Sequence, residues 1–239
     1  MSNVSNEINT IETSLNNGLP MPAQDRKLLA VVIASVVAVV ALVAIVYTVF
    51  QHRVTSAQTA FGEAMSTYQT PVAAPGQQVP PGTKTFPDTK TRAQEASNEF
   101  AAVADKYGMT KPGKLARYFQ GISLIEQGQN ASAETTLKQS AGSWDSNVAA
   151  LSKLALAQLY QQTGRDSDAV ALYNELTNSK AATVPAGLAQ IQLAELYEAE
   201  GKSADAKKIY AQLKDSDKDA KGNLGPAGQL AASKLAPQK

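Results

Sequence analysis

The sequence predicts an all-α protein: a single N-terminal transmembrane helix followed by a solenoid of stacked helical hairpins. Three observations carry this expectation. Leu28 to Phe50 (LLAVVIASVVAVVALVAIVYTVF) is 23 residues without a charge. Further on, YQQTGRDSDAVALYNEL (Tyr160 to Leu176) and YEAEGKSADAKKIYAQL (Tyr197 to Leu213) agree at Tyr, Gly, Asp, Ala, Tyr and Leu, and begin 37 residues apart. No run of alternating β-branched residues bounded by turns occurs, so strands are not expected.

Taken in order, residues 1–27 are polar, rich in Asn, Ser and Thr, and interrupted by Gly18, Pro20 and Pro22. They read as a disordered cytoplasmic tail. Residues 28–50 would span roughly 34 Å as a helix, enough to cross a bilayer. A cleaved signal peptide would have a shorter apolar core and small residues at its end; this run ends in Tyr47-Thr48-Val49-Phe50. The basic flanks, Arg26 and Lys27 against Arg53, favour an inside N-terminus by two to one. Over residues 51–69, Val54, Ala57, Phe61, Met65 and Tyr68 form one apolar stripe of a juxtamembrane amphipathic helix. Residues 70–88 form a linker: Pro71 to Lys90 holds five of the chain's 11 prolines and can sustain neither a helix nor a central strand.

The helical repeat domain is expected over residues 88–235. Asp88 should cap a helix ending near Tyr107, with Gly108 as its stop and Ala96, Phe100 and Val103 on its inner face. Three hairpins follow, at about 112–146, 147–183 and 184–215, and then a short C-terminal helix. Asn130, Asp166 and Ser203 are expected to cap the second helices, and Pro185 suits the first turn of a first helix. The domain is expected to fold from about Arg92.

A helix-turn-helix unit repeated at this period resembles the tetratricopeptide (TPR) family. Leu156, Ala157, Tyr160, Gly164, Ala169 and Tyr173 match its pattern in one copy, and Leu193, Ala194, Tyr197, Gly201, Ala206 and Tyr210 in the next. Gly121, Leu124, Gly128, Ala133 and Leu137 mark a more worn copy before them. The family's Trp is missing from all three, and its closing Pro is displaced to Pro185. Small residues let the two helices of a pair approach, and each pair must stack on a neighbour to bury its apolar face.

The layout of tail, anchor, amphipathic extension, degenerate first pair, AVADKYGMTKPGKLARYFQGISLIEQG and clear repeats resembles the YfgM-type ancillary SecYEG translocon subunits over about residues 25–215. That resemblance implies a single-pass protein of the inner (cytoplasmic) membrane. Its C-terminal domain would be periplasmic and assist protein export or folding beside the Sec translocon. The implied partners are translocon subunits, a membrane-anchored folding factor or exported chains. An envelope or cell-division adaptor of the same topology and a cytoplasm-facing TPR scaffold remain alternatives.

No enzyme is expected, since the chain has one His and no Cys, and no constellation for catalysis, metal or cofactor binding can be assembled from it. His52 reads as an interfacial side chain. A net charge of +1 without dense basic clusters excludes nucleic acid as the main partner, and no small-molecule substrate is expected. Asn130-Ala131-Ser132 reads as a cap instead of a glycosylation site. Trp144 reads as a packed inter-repeat residue, and Ala30, Ala34 and Ala38 put small side chains on one face of the span.

TPR arrays bind proteins on the face lined by first helices. The register implies a partner-binding groove with one row at Tyr118, Leu154 and Ile191, and the next at Ile122, Gln158 and Glu195. It would grade from apolar at the first copy to polar and acidic at the third. The Lys and Asn that grip a C-terminal carboxylate in some family members are absent there. The apolar end would be either covered by the helix of residues 88–107 or open.

Overall fold

A computed structural model describes residues 23–73, 82 and 84–236. The tail reading falls outside them apart from its last residues, which are helical, and residues 74–81 and 83 of the linker also lie outside. Among the described residues there are helices and two isolated backbone bridges but no strand.

The first helix, α1 (Ala23–Gln69), carries the uncharged run. Every large apolar side chain from Val31 to Phe50 that the structure describes is 47–66% exposed. This helix is long and apolar enough to cross a membrane, and such exposure in water would cost about 25 cal/mol per Å² of apolar surface. The chain divides at His52/Arg53 into two units, the second running to the C-terminus.

In the second unit, the stripe predicted after the span is packed. Ala57 and Ala64 are buried, and Phe61, Met65 and Tyr68 lie against Phe100, Val103 and Ala104 of α2 (Thr89–Tyr107) and Ala116 and Phe119 of α3 (Lys111–Glu126). Asp88 caps α2 as expected, accepting from the Thr91 amide at 2.7 Å. Between α1 and α2, the Ala73 amide donates to the Phe86 carbonyl (2.9 Å) and the Phe86 amide to the Pro71 carbonyl (3.0 Å), with Phe86 buried. The core of the array therefore begins at Ala57. A fragment starting at Arg92 would strip Phe100 and Phe119 of Phe61 and Tyr68.

Three hairpins follow: α3 with α4 (Asn130–Ala141), α5 (Ser146–Gln162) with α6 (Asp166–Thr177), and α7 (Ala186–Ala199) with α8 (Ser203–Ser216); α9 (Pro226–Leu235) packs on α8. From α2 onward, each helix lies against the next in sequence. The family's small positions sit at the tight places: Ala133, Ala169 and Ala206 are 0% exposed. A Cβ on Gly121 would lie 2.7 Å from Leu137.

The expected caps of the second helices are a correction. Asn130, Asp166 and Ser203 are the first helical residues, the cap positions are Gln129, Arg165 and Lys202, and no side chain caps these amides. The turn is closed from the preceding helix instead. Gly164 has φ +71°, its amide donates to the Gln161 carbonyl (3.1 Å), and the Arg165 amide reaches the Tyr160 carbonyl (2.8 Å). The same pair of bonds occurs at Gly128 and Gly201. This is the double bond of a Schellman turn, and it leaves three residues between the two helices of each pair. Pro185 stands one residue earlier than expected, at the cap of α7.

Candidate functional site

The six groove residues lie on the first helices of the hairpins: Tyr118 and Ile122 on α3, Leu154 and Gln158 on α5, Ile191 and Glu195 on α7. α3 packs against α5, and α7 against α9. Tyr118, Ile122 and Leu154 are half-buried and rest on one core cluster with Leu124, Leu156 and Leu159 beneath them. Burial raises the pKa of the Tyr118 hydroxyl. Its ring meets Phe119 edge-on at 5.1 Å.

The other three residues have different surroundings. Gln158 is exposed. Ile191 is 4% exposed and belongs to the C-terminal core with Tyr210, Leu213 and Ala231, so it presents little surface. Glu195 is half-buried, accepts from the Gln192 side chain at 3.1 Å, and pairs with Lys234 of α9 at 3.3 Å. Lys234 also reaches Glu198 at 3.5 Å. The acidic end of the row thus carries its own counter-ion, from a helix the register does not include.

Sequence reasoning missed the aromatic group beyond Tyr118. Phe119 stacks on Phe100 at 5.4 Å and meets Phe61 at 5.8 Å and Tyr68 at 5.9 Å. Next to it, the Tyr68 hydroxyl donates to Glu126 (2.6 Å), and Arg92 pairs with the same carboxylate at 3.1 Å. Burial first, then the Glu126 bond, pushes the Tyr68 pKa well above its usual value. The helical spacing of Phe61 and Tyr68 was the available signal; their partners on α2 and α3, far along the chain, were not.

A second ionic cluster joins the first and second hairpins. Glu134 of α4 accepts from Arg165 (2.6 Å), from Lys138 (2.7 Å) and from the Tyr160 hydroxyl (3.2 Å), and Arg165 lies 4.0 Å from the centre of the Tyr160 ring. The bonds from Arg165 and Lys138 hold the Glu134 carboxyl down at about 2. The second aromatics tie each pair internally: Tyr173 donates to Gln161 (2.6 Å) and Tyr210 to Glu198 (3.1 Å). Burial and the nearby Glu195 raise Tyr173 to about 12.

Trp144 is a correction. It is 70% exposed, and the Lys114 ammonium lies 4.5 Å from its ring centre. The gap it was expected to fill is occupied by Ser140 and Ser152, buried and hydrogen-bonded to each other at 2.8 Å. Among the described residues, no three His, Cys, Asp or Glu side chains are placed to hold a metal.

No protein-family model matches the chain, and no curated protein does. Among solved structures it is similar to TPR-like repeats of a kinesin light chain-like protein from Podosopora anserina, and to a single-substitution variant of the same repeats. Each has a TM-score of 0.52 at 18% identity, over 74% of this chain and 82% of the other. The likeness shows a TPR-like fold.

Proposed function

We propose that the chain is a membrane-anchored interaction module that docks a protein segment on Tyr118, Ile122 and Leu154. The observation that carries this reading is the half-exposure of three apolar side chains, on first helices that pack together, that rest on one buried core cluster. Aromatic and aliphatic anchors dominate the energy of such contacts, while solvated Gln and ion-paired Glu add little. Gln158 and Glu195, tied to Lys234, are therefore peripheral.

Anchoring is supported by the exposed apolar helix. The resemblance in layout to YfgM-type subunits supports a periplasmic array beside the Sec translocon, with a translocon subunit, an anchored folding factor or an emerging chain as partner. A photo-crosslinking residue at position 118 of the full chain in native membranes tests this. Capture of export components is the expected outcome. Capture of division proteins or of a cytoplasmic protein would overturn the export role, and capture from position 195 but not from 118 would overturn the choice of anchors.

A further inference from the structure

We propose that the end of the array at which Arg53 enters it is a lipid-docking surface, where Trp144 and Met109 enter the membrane interface and Lys106 and Lys111 meet anionic headgroups. This rests on reading residues 28–50 as a membrane span.

The geometry lies within the second unit. Arg92 stacks on Tyr68 (5.6 Å), and Phe100 meets Phe61 (5.8 Å). As α1 is followed backward, α2 is followed forward, so the two run antiparallel. Eight further residues along each, about 12 Å at 1.5 Å per residue, bring Arg53 level with Gly108. The turn from α2 to α3 is therefore at the end where the chain enters. Gly108 also lines a cavity of about 200 Å³ with Lys114, Gly142 and Trp144, which puts the turn from α4 to α5 at the same end.

Outside residues 31–50, the two most exposed large apolar side chains among the described residues are Met109 at 73% and Trp144 at 70%. Both are on these turns. Lys106, Lys111 and Lys114 flank them, and none of the three forms an ion pair among the described residues. The acids nearby are engaged: Asp105 pairs with Arg117 at 2.8 Å, and Asp145 accepts from the amides of Asn147 and Val148 as the cap of α5. An exposed tryptophan with Lys114 over its ring, and an exposed methionine between Lys106 and Lys111, at one helix-bundle end match the chemistry of an anionic bilayer surface, where indole sits at headgroup level and lysine stems reach outward. Because Arg53 directly follows the apolar helix, the tether holds this end at high effective concentration of lipid.

Trp144 is the single tryptophan, so its emission reports the site without mutation. The full chain is reconstituted in vesicles of phosphatidylcholine, with or without phosphatidylglycerol, with brominated phosphatidylcholine as quencher. The expected result is blue-shifted emission, quenched by the brominated lipid and more strongly with phosphatidylglycerol. The double variant Lys106→Gln with Lys111→Gln should lower the docking equilibrium about fivefold per lysine. Emission typical of water-exposed indole, unquenched in both vesicles while the chain resists alkaline extraction, would overturn docking and leave the span intact. A blue shift without lipid quenching would overturn it in favour of a protein contact. A chain released by alkali would overturn the span and the docking together.

Discussion

Replacing Ala169 by Leu tests the register on which the groove depends. Ala169 is 0% exposed and lies in the cluster that includes Leu156, Tyr160 and Tyr173. Leucine adds three carbon atoms at a place where α5 and α6 approach each other. Nothing adjacent can yield easily: Tyr173 is 0% exposed and its hydroxyl is held by Gln161 at 2.6 Å. Overpacking of this kind costs about 1 to 3 kcal/mol, and three carbons in a closed site place it near the upper end. For an array of this size each kcal/mol moves the melting temperature by about 2 to 4 °C, so a fall of about 4 to 12 °C is expected. The assay is thermal melting of the full chain in detergent, followed by helical circular dichroism. Ala171→Leu, on the exposed side of the same helix, is the control and should stay within about 0.5 kcal/mol. Equal melting of Ala169→Leu and wild type would show that the residue is not at the closest approach, and the assignment of the row on α5 would fall with it.

Phe100→Ala should cost about 3 to 5 kcal/mol as a buried aromatic truncation, and limited proteolysis should show new cleavage between residues 53 and 69 if that segment is integral to the array. Gly164→Ala should cost about 1 kcal/mol, since an L-residue at φ +71° meets the left-handed penalty; an unchanged urea midpoint would refute the turn geometry. Glu134, with its carboxyl lowered from 4.5 to about 2, should contribute stability that is complete above pH 4.5 and is lost as pH falls toward 2. Glu134→Gln should therefore lower the urea midpoint at pH 7 and be less sensitive to acid than wild type, and equal acid sensitivity would count against the cluster. Deleting Gln77 to Thr83 should leave melting nearly unchanged, because it spares the bonds between Pro71, Ala73 and Phe86; a large loss would show that the loop is packed.

Local signals determined much of this protein. An uncharged run, a six-residue match at fixed offset and glycines at Gly128, Gly164 and Gly201 encode helix length, pairing and turn, because each depends on contacts within one hairpin. The match therefore located Ala169, Tyr173, Ala206 and Tyr210 in the core with no tertiary information. What surrounds those hairpins was decided only by the tertiary structure. Asn130, Asp166 and Ser203 have capping chemistry, but the turn that the preceding helix closes through its own carbonyls puts Gln129, Arg165 and Lys202 at the cap positions and these three one residue inside the helix. Ile191 and Leu154 occupy equivalent places in the repeat, yet α9 covers one and no corresponding helix covers the other. Trp144 has a side chain suited to burial, but a small Ser140–Ser152 pair already fills the gap between the helices. Phe119 finds its partners on α1 and α2, far away in sequence. A repeat specifies the inside of a unit and its register; exposure at the edges depends on which distant segment arrives there, and only packing determines that.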